Sequence, residues 1–212
     1  MCAAAARDLR RQTGTAQLVV HPARLPLAGY PHVWHRSGRV PCAAMSGSGV
    51  SPGTERATLC EFLDYQREAL IGRLNSLSDE RARVTPTASS LSLLSLIKHS
   101  AIWERRWFQI IVAGRSVPGE WPEVPDVESE EGDPTFQLTD EDTIETVVAD
   151  YREQIAASNE IMGSFDLDAP CARSDKVNEN LRWVAVHMIE ETARHAGHAD
   201  IIRETIDGTR GR

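Results

Sequence analysis

Four stretches of this chain repeat apolar residues every three or four positions, and none alternates them every second one. A chain patterned in this way buries its hydrophobic surface between helices rather than in a sheet. The first pattern covers about 54–77, with Leu59, Phe62, Leu63, Leu70, Leu74 and Leu77 at helical spacing and Ser51-Pro52 or Thr54-Glu55 as its start signal. The second covers 90–113, from a Thr-Ala-Ser-Ser run to Gly114, along Leu93, Leu96, Ile97, Trp103, Trp107 and Ile110. The third covers 140–163, with Thr139 as the expected N-cap, three acidic residues in its first turn, and a stripe of Ile144, Val147, Val148, Tyr151, Ile155 and Met162. The fourth covers 179–206 and stops before Gly208. The expected fold is therefore all-α, a four-helix bundle. The segment 114–138, long, acidic and carrying Pro118, Pro122, Pro125 and Pro134, reads as a crossover loop between helices two and three.

The bundle occupies residues 51–210, and residues 1–50 read differently. They are rich in Ala, Arg, Gly, Ser and Pro and show no sustained period. Met45, followed by a Ser- and Gly-rich stretch, is the expected true start, which makes the residues before it a mis-called extension; a disordered basic arm and a transit-type peptide are the alternatives. Charge divides at the same place. The chain's net charge is −8, and residues 1–44 carry six Arg against one Asp, which leaves −13 on the remainder. An acidic body is a poor partner for nucleic acid or an anionic membrane, because phosphate binding relies on Lys and Arg. No apolar run approaches the roughly 20 residues that span a bilayer. Cys60 and Cys171, the cysteines of the body, are far apart and read as reduced thiols, so the expected compartment is cytoplasmic.

The fourth pattern carries the chemistry. Steps of three and four from Leu181 run through Val184, Met188, Glu191, His195, His198 and Ile202. Both ends are apolar, as a core demands, but the middle holds a carboxylate and two imidazoles. Burying a carboxylate costs several kcal/mol unless it is paired or ligates a metal. Glu191 and His195 stand four apart, so both reach one ion from one helix. In helix two, His99 interrupts the line Leu96, Trp103, Trp107 in the same manner, and packing helix two on helix four brings it towards that pair. Three N/O donors with an open position are the pattern of a catalytic metal site. His198 falls in the same cavity as an extra ligand or supporting group, and His187, four before Glu191, falls at its rim. The bland alternative is a helix turned so that Trp183, Val186 and Ile189 face inward, which leaves Glu191 and His195 as a surface pair.

The segment around His99 (LxxLIKHSAxxERRWF) and the late helix HMIEETARHAGHADIIRE resemble the DinB/YfiT-like metal-dependent superfamily over residues 55–210, and more narrowly its actinobacterial DinB-like members. The resemblance implies a four-helix bundle with a metal site at one end. Many members use three histidines; the Glu191 position departs from that and is similar to the mycothiol-dependent maleylpyruvate isomerases, whose zinc takes His, Glu and His. His198 stands where many relatives have Gln. The resemblance implies a divalent cation, zinc first, with nickel, iron or manganese as alternatives. It also implies a low-molecular-weight thiol of the mycothiol type and an electrophile as partners, in an S-transferase or isomerase. The competing expectation is a non-catalytic metal-binding bundle with a structural or sensing role. A homodimer is compatible with either, and no individual catalytic residue is assigned.

Overall fold

The computed structural model describes residues 53–116 and 133–211; the expectations about residues 1–52 lie outside them. Thr54 opens α1 (Glu55–Gly72) by accepting the Ala57 N–H. The helix is shorter than the 54–77 pattern, because Ser76 sits at φ 63 and breaks the turn. Ser78 then caps a single turn, α2 (Asp79–Ala82). A reciprocal Ser92/Ser95 box starts α3 (Leu93–Arg105), which passes without interruption into a π-helical segment, Arg106–Val112. A second box, Thr143/Thr146, starts α4 (Ile144–Ser164). The expected cap, Thr139, instead closes a turn by donating its N–H to the Asp142 carboxylate, so the helix begins one turn later. Asn180 caps α5 (Leu181–Asp207), and Gly208 ends it in the left-handed conformation at φ 77. Among the described residues no β-strand forms; one isolated bridge joins Pro170 and Asn180.

The four long helices pack side by side, with α3 along α4 and α1 along α5. Lys98 pairs with Asp142 and Gln109 with Gln154, so α3 and α4 run parallel. Most of the expected crossover loop 114–138 lies outside the described residues. Glu55–Arg182 and Arg73–Arg203 contacts make α1 and α5 parallel as well. His99 against His195, and Trp107 against His187, make α3 and α5 antiparallel. That antiparallel face carries the site.

Two apolar clusters fill the core. One gathers Leu63, Phe108, Ile161, Leu181, Val184 and Met188; the other gathers Leu70, Leu93, Leu96, Tyr151, Ala196 and Ala199. Between them lies a polar layer in which Arg67 donates to Glu104, to Asp64 at 2.7 Å and to Asn159 at 2.9 Å. Arg67 and Glu104 are 1% and 0% exposed. Burial works against the Arg67 charge, yet the Glu104 and Asp64 carboxylates outweigh it and raise its pKa. The α1 stripe read from sequence is partly corrected here. Phe62 is exposed, and the inward line runs Ala57, Cys60, Leu63, Arg67, Leu70. Cys60 and Cys171 are both buried, and no disulfide joins them. No helix of the described residues is long and apolar enough to cross a membrane.

Candidate functional site

On α5 the buried line proceeds Leu181, Val184, Met188, Thr192, Ala196, Ala199, Ile202. From Met188 the core takes the step of four to Thr192 rather than the step of three to Glu191. Glu191 and His195 therefore flank the core at the α3–α5 seam instead of replacing its centre, and His198 is exposed. The alternative rotation does not occur either, since Trp183 and Val186 are 40% and 52% exposed.

His99 and His195 meet across this seam. Their rings stand edge to face with centroids 4.8 Å apart. His99 is 8% exposed. Its ring lies flat on Phe136 at 3.8 Å, and Trp103 stands 5.9 Å away. Burial first, then the neighbouring His195, pushes its pKa down to about 3, with the Asp133 carboxylate opposing. His195 is lowered by burial too, against an opposing pull from Glu191 and with His198 and Arg194 adding to the depression. Both imidazoles are thus neutral near pH 7, the form that donates a lone pair to a cation. The Nδ1 of His195 is buried and has no hydrogen-bond partner among the described residues. A buried donor atom left in that state is costly unless something occupies it.

The Glu191 carboxylate acts electrostatically on His195 and is engaged by an arginine on the same helix. That arginine, Arg194, donates to Glu190 at 2.8 Å as well. Among the described residues, the three groups whose ligand atoms all lie within 4.8 Å are His187, Glu190 and Glu191. His187 is sandwiched by tryptophans, stacked on Trp183 at 5.0 Å and edge-on to Trp107 at 4.5 Å. The His198 ring is 6.1 Å from that of His195.

Sequence reasoning missed the short 3-10 turn Pro134–Phe136, which delivers Thr135 and Phe136 onto His99. The Asp133-Pro134 step was a turn signal within the proline-rich segment, but nothing local in it points to a partner 36 residues away. Trp103 and Trp107 read only as stripe residues and Trp183 only as part of the alternative rotation; in the fold, neighbouring rings lie 6.5 and 5.9 Å apart and lead outward from His99.

An all-α bundle that opposes histidines of its second and fourth long helices is the architecture of the DinB/YfiT-like metal-dependent class. Within that class the chain belongs to the mycothiol S-transferase family, whose model matches residues 58–208. A conserved protein from Enterococcus faecalis, known from a crystal structure, superposes on it with a TM-score of 0.51. The two chains are 13% identical, and the match covers 74% of this chain and 99% of that one, a likeness of fold. None of the curated proteins matches.

Proposed function

We propose that residues 51–210 form a metal-dependent thiol S-transferase of the cytoplasm, with His99, His195 and Glu191 holding a divalent cation. The observation that carries this reading is the meeting of two neutral imidazoles from antiparallel helices, His99 buried and His195 half-buried, the latter with an unsatisfied nitrogen. The donor set of two nitrogens and a carboxylate suits zinc, with nickel, iron and manganese as competitors. When bound, the cation supplies the positive charge that lets a thiol react as thiolate near pH 7.

The chain's own groups account for the rest. Glu191 completes the donor set by leaving Arg194 for the His195 side, one helical turn away. The guanidinium stays satisfied by Glu190. Trp103, Trp107 and Trp183 form an apolar wall that orients the electrophile and thins the water around it. The thiol releases its proton to solvent. Its sulfur lone pair then forms a new C–S bond, and the leaving group departs with the bonding pair.

The test is conjugation of mycothiol, bacillithiol and glutathione to a chromogenic electrophile. Zinc-loaded protein is compared with chelator-stripped protein. The reading predicts a metal-dependent rate, highest with mycothiol. No rate above that of the stripped protein with any thiol favours the non-catalytic bundle.

A further inference from the structure

The short turn Pro134–Phe136, ahead of α4, is directed at His99. Asp133 caps the Pro134–Phe136 turn. Its Oδ1 accepts the backbone N–H of Thr135 at 2.9 Å and the Thr135 hydroxyl at 2.6 Å. A carboxylate only accepts, so the single hydroxyl proton of Thr135 is committed to Asp133. The Thr135 hydroxyl oxygen lies 2.5 Å from Nδ1 of His99. Only lone pairs remain on that side, so Nδ1 carries the hydrogen and donates it. The second carboxylate oxygen of Asp133, 3.7 Å from Nδ1, adds a favourable field for a proton there. Phe136, parallel to the imidazole within 6°, holds the ring plane. With Nδ1 protonated and the ring neutral, the lone pair is on Nε2.

We propose that Asp133 and Thr135 are positioning residues that hold His99 in its Nδ1–H tautomer and present Nε2 as the ligand atom. The inference rests on the metal-site reading above, and it adds a specific origin for the geometry. In water a histidine side chain favours the opposite, Nε2–H form, which blocks the nitrogen a cation needs. The hydroxyl and carboxylate behind Nδ1 reverse that preference before any cation arrives. Such supporting partners fix both tautomer and ring orientation of a ligating histidine. They also give the chain between α3 and α4 a role in the site: its last turn supplies the groups behind His99.

Two readouts test this on the full chain. Long-range proton–nitrogen correlation spectra of the metal-free protein report the His99 tautomer directly. The expected pattern is Nδ1–H in the parent protein and in Thr135→Ser, which keeps the hydroxyl, and a shift towards Nε2–H in Thr135→Val, which has the same shape without it. Zinc affinity, measured by competition with a chromogenic chelator, should fall about 10–100-fold in Thr135→Val and be retained in Thr135→Ser. An Nε2–H pattern in the parent, or an unchanged tautomer or unchanged zinc affinity in Thr135→Val, overturns the positioning role. Unchanged zinc affinity in His99→Ala overturns the metal reading instead, so the two failures are separable.

Discussion

Acidifying the metal-free protein should cost it stability that a His99→Gln variant keeps. His99 is 8% exposed, and burial together with His195 takes its pKa from 6.5 to about 3, with Asp133 opposing. A group whose folded value lies below its unfolded value binds fewer protons when folded. Its contribution is therefore intact above about pH 6.5 and is lost progressively as the pH falls towards about 3. At pH 4 the medium stands about 2.5 pH units below the unfolded value. At about 1.36 kcal/mol per unit this is about 3 kcal/mol. For a domain of this size that corresponds to roughly 6–12 °C in Tm. The measurement is urea unfolding in the presence of a chelator at pH 7, 6, 5 and 4 for both proteins. Carboxylates remote from His99 titrate alike in the two, so the difference between their unfolding free energies reports the histidine together with its Asp133 contact. The parent should lose about 3 kcal/mol relative to the variant between pH 7 and 4. A difference that does not change with pH refutes the claim that His99 is held neutral by burial.

Two further predictions concern the scaffold. Glu104→Gln leaves the Arg67 guanidinium, 1% exposed, with Asp64 as its remaining carboxylate partner; the expected loss in urea unfolding is about 3–5 kcal/mol, while the double change Arg67→Met, Glu104→Met should recover most of it, and a double variant as unstable as the single one refutes this. Gly114 ends the π-helical segment at φ +64, and a Cβ there would sit 2.9 Å from that of Ala172; Gly114→Ala should cost about 1–2 kcal/mol from backbone conformation alone, seen as a lower Tm, and an unchanged Tm contradicts it.

Helix identity was legible because each of the four long helices carries a long apolar stripe and ordinary stop signals: Gly114 ends the π-helical continuation of α3, and Gly208 ends α5, as their positions suggest. The encounter of His99 with His195 was legible too, since two stripes carried the same anomaly. The phase of α5 was not. Its buried middle is Thr192, Ala196 and Ala199, small residues that mark a face weakly, so a step of three to Glu191 looked as good as a step of four. The Arg67–Glu104 pair was hidden for a related reason: charged residues at helical spacing read as solvated until the opposite charge is known to face them. The start of α4 slipped by one turn because Thr139 and Thr143 are equally good caps, and the Asp142 side chain bonds Thr139 instead. Thr135 and Phe136 were beyond reach, because their partner His99 is supplied by tertiary structure alone.

The central claim is that His99 and His195 hold the cation. The most direct measurement is elemental analysis of the purified full-length protein after dialysis against trace zinc, alongside His99→Ala, His195→Ala and His198→Ala. The account predicts one zinc per chain in the parent, one in His198→Ala, and none in the other two, each with a helical far-ultraviolet spectrum like the parent's. One zinc per chain in His195→Ala or His99→Ala contradicts it.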